Sequence, residues 1–191
     1  MKTSFFHGWL TRAETGAQQA TVKSSLAIPA DPESQYNLGQ QLAGGEDGGQ
    51  DPVQAAECFR KAAVQGHCSA QFQLGLMYAQ GKGVLRKEAT ALLWLRKAAE
   101  LGHAGAQYHV GVKLHRASKG LQQEQASQNR IEAFKFLQLA VTQQHKAAKD
   151  ALEFVALGMT QQEVDEAERR AFAFAHEHST VRSRPVASST P

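Results

Sequence analysis

Apolar residues recur at helical spacing along most of the chain, and glycine-rich turns separate the runs. Leu38 and Leu42 lie four residues apart and therefore share one face of a helix. The same spacing groups two later sets of residues, namely Ala70, Leu74 and Tyr78, and Ala106, Val110 and Leu114. Because a strand would need alternation with a period of two, this pattern predicts an all-α fold.

The chain also repeats itself at an interval of 36 residues. Glycines and glutamines recur at this interval, at Gly39, Gly75 and Gly111 and at Gln35, Gln71 and Gln107. A period of this length is typical of a stacked array of helix pairs. Glycine inside a helix costs about 1 kcal/mol relative to alanine. Its recurrence therefore indicates that another helix passes too close for a side chain.

The repeats predict the domain organisation. We expect a helical repeat domain over residues 32–178, with repeats at about 34–67, 70–103 and 106–145 and a degenerate unit at 148–178. Residues 1–31 are expected to form an N-terminal extension that is partly helical or disordered. Residues 179–191 have the composition of a disordered tail.

Capping residues predict where several helices begin. Asp51 precedes Pro52, which places an aspartate at the N-cap and a proline at the first helical position. In the third repeat the period lengthens from 36 to 42 residues, and we expect a Gln- and Ser-rich loop insertion at 117–128. Asn129 then caps the next helix, with Glu132 completing a capping box.

The last helix has its own capping box and a charged face. Thr160 is expected at the N-cap, with Glu163 three residues later. The charged residues of this helix are predicted to lie on its solvated outer side, as suits a C-terminal capping helix: Asp165, Glu166, Glu168, Arg169 and Arg170.

Two segments of the second repeat carry a family resemblance. They read A-Q-F-Q-L-G-L-M-Y-A-Q-G-K-G-V from Ala70 and A-L-L-W-L-R-K-A-A-E-L-G-H from Ala91. This motif resembles the Sel-one-like repeat of the tetratricopeptide-like superfamily. The resemblance implies a right-handed α/α solenoid of antiparallel helix pairs that acts as a protein-interaction adaptor. It also implies that Cys58 occupies an aromatic core position, and that Lys87 replaces a capping aspartate.

Charge and cysteine content exclude several other classes of protein. The net charge is only +3 and the two signs are interspersed, whereas a nucleic-acid-binding face needs clustered basic residues. No apolar run approaches the ~18 residues of a membrane span. Cys58 and Cys68 are the two cysteines, too few for a disulfide framework. We therefore expect a cytoplasmic, monomeric protein with reduced thiols that binds neither nucleic acid nor membrane.

The histidines are the residues whose chemistry most needs an explanation. His67, His103 and His145 recur at equivalent repeat positions. Successive repeats pack ~10 Å apart, so these three side chains cannot share one metal ion, whose ligand bonds are ~2 Å. They are expected to serve the turns instead. No motif for a nucleophile, a phosphate loop or a metal site is present, and we predict no catalytic residue, metal or cofactor.

A partner-binding surface remains as the candidate site. In such solenoids the first helices line the concave groove, which exposes positions stacked by repeat. These positions, called the predicted groove below, are Asn37, Gln41, Gln73, Met77, Gln80, His109, Lys113 and Arg116. The column is rich in amides at one end and basic at the other, which fits a partner protein or peptide with an acidic segment.

Two alternatives to this interpretation stay open at the level of sequence. The predicted groove is equally consistent with an ordinary solvated helix face. A small-ligand-binding or hydrolase-like enzyme that uses the same groove is the alternative function, although only His109 among the groove residues suits acid–base chemistry.

Overall fold

A computed structural model of the chain describes residues 30–45 and 49–182. Backbone contacts divide the chain into two units, Met1–Ala30 and Asp31–Pro191, and the description that follows concerns the second unit. The predicted N-terminal extension, up to residue 29, and the end of the predicted tail, from residue 183, lie outside the described residues.

The described residues form eight helices and no strand, as the all-α prediction requires. In chain order they are α1 (Pro32–Gly44), α2 (Pro52–Val64), α3 (Cys68–Gln80), α4 (Glu88–Glu100), α5 (Ala104–Ser118), α6 (Gln123–Thr142), α7 (Ala148–Ala156) and α8 (Gln161–Arg182). Helices α1 and α2, α3 and α4, and α5 and α6 pack as pairs, and each pair packs against the next. The result is a solenoid.

Each pair crosses at the glycine that recurs in its first helix. A β-carbon at Gly39 would lie 2.7 Å from the Phe59 ring. The equivalent atoms at Gly75 and Gly111 would lie 2.8 Å and 2.6 Å from the Leu95 and Leu137 side chains. A β-carbon in a protein does not approach another carbon so closely, so the second helix occupies the space that a side chain would need. The close approach expected from the sequence is therefore present in all three pairs.

The fourth unit lacks this glycine and does not form such a pair. Glu153 stands at the position that corresponds to Gly111, and its side chain is exposed to solvent. Helices α7 and α8 both pack against α6 and barely touch each other. A carboxylate at the crossing position cannot be buried without a partner. The two last helices therefore close the end of the solenoid separately.

Alanine and leucine fill most of the core between the helices. One cluster joins the first two repeats, with Ala55, Phe59, Ala63 and Leu74 among its buried residues. A second cluster extends from Leu95 through α5 and α6 to α7 and α8. The small residues let neighbouring helices approach closely, and the larger ones fill the remaining space. Cys58 is fully buried, consistent with its core position in the repeat, and both cysteines are free thiols.

The recurrent glutamines are buried and connect one repeat to the next. The amide nitrogens of Gln71 and Gln107 donate to the carbonyl oxygens of Ala63 and Ala99, at the end of the preceding second helix. A second glutamine completes the arrangement in two repeats: Gln65 donates to Gln35, and Gln143 donates to Gln107. Each buried amide thereby finds the partner that its burial requires.

In the middle repeat this second donor is missing. Leu101 stands where Gln65 and Gln143 stand in the neighbouring repeats, at the residue that ends the second helix. As a result the side-chain oxygen of Gln71 is buried and accepts no hydrogen bond from the described residues. An unsatisfied buried acceptor costs about 1–3 kcal/mol.

Aspartate and histidine side chains form the N-caps of four helices, α1, α2, α3 and α5. Asp31 and Asp51 accept from the backbone N–H of Ser34 and Gln54. The Nδ1 atoms of His67 and His103 accept from the backbone N–H groups of Ala70 and Ala106. The helices that follow these histidines, α3 and α5, begin two residues before the predicted starts of their repeats. The turn role expected for these two histidines is thus an N-cap.

The third histidine of this series does not cap. Its preceding turn residue is Gln144, which adopts a left-handed conformation (φ 59°) where the other two turns have Gly66 and Gly102 at φ 88°. The Nδ1 atom of His145 is buried and has no hydrogen-bond partner among the described residues. The regular repeat geometry therefore ends at this turn.

The prediction that α6 begins at Asn129 is wrong. The helix begins at Gln123, and Asn129 lies two turns inside it. The run Q-E-Q-A-S-Q consists largely of residues with good helix propensity, and Ala126 is buried. The six extra residues therefore lengthen the helix rather than the loop. Glu132 forms no capping box, and its carboxylate binds Lys135 and Arg170 instead.

The capping box of α8 is confirmed, but one residue of its outer face is placed differently. Thr160 and Glu163 exchange the two expected hydrogen bonds, of 2.8 and 3.3 Å. Arg170, predicted to be solvated, lies at the contact with α6 and donates to Glu132 and Glu166. The helix also continues past His178 to Arg182, four residues into the predicted tail. Ion pairs with α6 and the burial of Ala167 and Ala171 in the core together hold this helix.

The unsatisfied oxygen of Gln71 generates the first prediction. Replacing Leu101 by glutamine restores the donor present in the neighbouring repeats and should stabilise the fold by about 1 kcal/mol, the net value of one hydrogen bond. Leu101 is 47% exposed, so little packing is lost. Urea unfolding of Leu101→Gln measures the gain. In a Gln71→Ala background the same substitution should give no gain, and a gain that persists there would contradict the hydrogen-bond explanation.

Candidate functional site

Aromatic residues of the first helices stack on the three recurrent histidines along one side of the solenoid. The stacked pairs are Tyr36 with His67, Phe72 with His103, and Tyr108 with His145, at ring-centroid distances of 4.6, 4.2 and 4.6 Å. Each pair joins a first helix to the turn before the next one. The three aromatic residues recur at the same 36-residue interval as the glycines. That interval was the signal in the sequence that could have identified them.

The three stacked pairs are called the aromatic strip below, and His109, one of the predicted groove residues, lies next to two of them. Its ring lies 5.8 Å from Phe72 of the preceding repeat and 5.4 Å from Tyr108 beside it. Burial lowers the pKa of His109 from its usual range, and the nearby charges of His145 and Lys113 lower it further. The imidazole is therefore neutral near pH 7. It adds polar aromatic surface to the groove rather than a positive charge.

Lys113 is engaged in an ion pair within the solenoid. Its ammonium group lies 2.5 Å from a carboxylate oxygen of Glu88, at the start of α4 in the preceding repeat. Glu88 also binds Arg86, and these hydrogen bonds, that from Lys113 first, lower the pKa of its carboxyl group. The Lys113 side chain is only 31% exposed. The positive charge of Lys113 is thus already paired with Glu88 within the solenoid.

Arg116 differs from Lys113 in both exposure and neighbours. It is exposed, and it lines an open cleft of about 410 Å³ between α5 and α7 together with Lys119. Neither side chain forms an ion pair with any residue of the described ranges. The two cations of the predicted groove therefore face different helices. Lys113 lies against α4, and Arg116 lies beside α7.

The amide-rich part of the predicted groove is mostly accessible. Asn37, Gln41 and Gln80 are exposed, and Gln73 is half-buried. Met77 is only 6% exposed and packs in the core of the first two repeats. Its placement in the groove is a correction to the sequence interpretation, because an apolar residue at this position fills the space between repeats. The accessible positions are thus distributed over α1, α3 and α5.

The described residues contain no group of three His, Cys, Asp or Glu side chains placed to hold a metal ion. In the same part of the chain, no helix is both long and apolar enough to cross a membrane. Two further open clefts, of about 570 and 540 Å³, lie between α6 and α8. The chemistry that the groove offers consists of amides, one neutral histidine and the exposed cation of Arg116.

Comparison with known proteins identifies the repeats. The family model described as Sel1 repeat matches residues 32–67, 68–103 and 104–145. The chain belongs to the Sel1 repeat family, whose members generally serve as scaffolds for protein–protein interaction. A search of the curated proteins found no match.

Two solved structures share the fold. One is a protective antigen of uropathogenic Escherichia coli strains that displays an SLR fold, with 26% identity and a TM-score of 0.63 over 84% of this chain. The other is a Sel1 repeat protein from Oxalobacter formigenes, with 25% identity and a TM-score of 0.58 over 92% of this chain. The alignments span 34% of the first relative and 70% of the second.

The partly buried histidines generate a prediction about pH. Burial is the largest cause of the lowered pKa of His103, His109 and His115. The folded state therefore binds fewer protons than the unfolded chain, whose histidines titrate at about 6.5. Stability should be fully present above that pH and fall as the pH is lowered from about 7.5 to about 5.5. Urea unfolding at the two pH values measures the loss.

A single substitution controls for this effect. His109→Gln keeps a polar side chain and removes one titrating group, so the difference in unfolding free energy between the two pH values should shrink. A wild-type protein that is equally stable at both pH values would contradict the assignment of neutral, partly buried histidines.

Proposed function

We propose that this protein is an interaction scaffold that binds a segment of a partner protein along the exposed faces of α1, α3 and α5. Support comes from the exposed side chains Asn37, Gln41, Gln80 and Arg116, which present amides and one cation on successive repeats. Amide side chains both donate and accept hydrogen bonds, so they suit a peptide backbone. The scaffold role of the family points in the same direction.

Arg116 is the single residue on which the proposal depends most. An exposed arginine without an ion pair in the described ranges is available to a carboxylate, with which it forms two parallel hydrogen bonds. We therefore assign the acidic part of the partner to Arg116 rather than to Lys113, which already holds Glu88. A cytoplasmic location and a monomeric state stay predictions from the sequence.

The ion pair of Lys113 affects the design of the test. Reversing its charge would place two carboxylates beside each other at Glu88 and disturb the fold as well as the surface. The groove variant is therefore Gln41→Glu, Gln80→Glu and Arg116→Glu, which changes one exposed residue in each repeat. Surface changes of this kind usually alter stability by no more than about 0.5 kcal/mol each.

Cross-linking pulldown from the source cell, with wild type and variant side by side, tests the proposal. The partner captured by the wild type should be lost with the groove variant, and its capture should weaken as salt is raised. The control is Lys61→Glu with Arg96→Glu, on the exposed faces of the second helices α2 and α4, which lowers the net charge by the same amount. Loss of the partner with the control and its retention with the groove variant would contradict the proposal.

A further inference from the structure

The α5–α7 cleft has a defined direction. Tyr108 stacks on His145, which precedes α7, and the His115 ring meets the Phe154 ring edge-on at 5.4 Å. Residue numbers rise together in these two contacts, so α5 and α7 run side by side in the same direction. Leu137 of α6 contributes to the lining between them. From Tyr108 to Arg116 the cleft extends over eight residues of helix, or about 12 Å.

Charges of opposite sign lie at different levels of this cleft. Arg116 and Lys119 line the end where α5 finishes, and both are exposed. Asp150 lies in the first turn of α7, level with about Val112 of α5, and is also exposed. It occupies the repeat position that holds Tyr108 in the preceding unit. None of the three forms an ion pair with another described residue. Three charges thus line one cleft without a partner there.

The middle of the cleft is apolar. Phe154 is 60% exposed, which is unusual for so large an apolar side chain beside a cleft, and Val112 and Ala151 lie next to it. Both ring nitrogens of His115 are buried in its lining and have no hydrogen-bond partner among the described residues.

We propose that the α5–α7 cleft binds an extended segment of about three residues from a partner protein, with an acidic side chain at Arg116 and Lys119, an apolar side chain against Phe154, and a basic side chain at Asp150. Asp150 lies level with about Val112, which is seven residues or about 10 Å of helix before Lys119. An extended chain rises about 3.3 Å per residue, so three residues span this distance. The inference rests on the proposed function and specifies the sequence that one part of the groove selects.

The charges of the cleft favour a partner over the rest of this chain. Residues 183–191 contain no acidic residue and residues 46–48 contain no basic residue, so neither segment carries both charges. In residues 1–29 the one acidic residue is Glu14, and only an alanine separates it from Arg12, so that segment places no large apolar side chain between its charges. The occupant is therefore assigned to another protein.

Selection from a random peptide display library on the immobilised full chain tests the inference. Wild type should enrich peptides in which an apolar residue lies between an acidic and a basic residue within about four positions. Arg116→Glu with Lys119→Glu should replace the acidic preference by a basic one and weaken the wild-type peptide at least about tenfold. Asp150→Lys should change the preference only at the other end. Because all three residues are exposed, circular dichroism should show each variant folded.

The uncharged variant Arg116→Gln with Lys119→Gln provides a second reading, in which the acidic preference disappears without reversal. Arg169→Glu on α8 is the control and should leave the selected motif unchanged. Selection of peptides without both charges, or the wild-type motif with every cleft variant, would overturn the inference. The proposed function would survive that result if the native partner were still lost with the groove variant, so the two failures can be distinguished.

Discussion

The close crossing of two helices at a glycine is the constraint on which the solenoid depends. At Gly75 an added β-carbon would lie 3.2 Å from the backbone nitrogen of Leu95, and at Gly111 it would lie 3.0 Å from the backbone oxygen of Ala133. Backbone atoms cannot move aside as a flexible side chain can. The glycines therefore set the distance within each pair, and the buried glutamines and capping histidines then join one pair to the next. Where Glu153 replaces the glycine, α7 and α8 separate.

This constraint also determines which surfaces are available for binding. The second helices cover one side of the first helices, so only the opposite side of α1, α3 and α5 is left to solvent. The aromatic and histidine strip fills the spaces between successive first helices, while Lys113 is held by Glu88. The strip ends with Tyr108 and His145, because Asp150 takes the aromatic position in α7. The α5–α7 cleft lies beside this last stacked pair.

Much of the fold could be predicted from the sequence because its main determinants recur at a fixed interval. The glycines, the glutamines and the cap at Asp51 are local or periodic signals. The start of α6 was mispredicted since glutamine and serine are compatible with both loop and helix, and only the burial of Ala126 decides between them. The periodicity likewise could not predict the ion pairs of Lys113 with Glu88 and of Arg170 with Glu132, because they join side chains from different repeats. Exposure of the groove residues was predicted well for the amides and poorly for Met77.

Urea unfolding of Gly75→Ala, compared with Glu153→Ala at the position that corresponds to it in α7, tests the central claim most directly. If the crossing needs a glycine, Gly75→Ala should lower the unfolding free energy by about 1–3 kcal/mol through overpacking against Leu95. The exposed Glu153→Ala should change it by no more than about 0.5 kcal/mol. A Gly75→Ala protein that is more stable than wild type, by the ~1 kcal/mol that alanine gains over glycine in an open helix, would contradict the account.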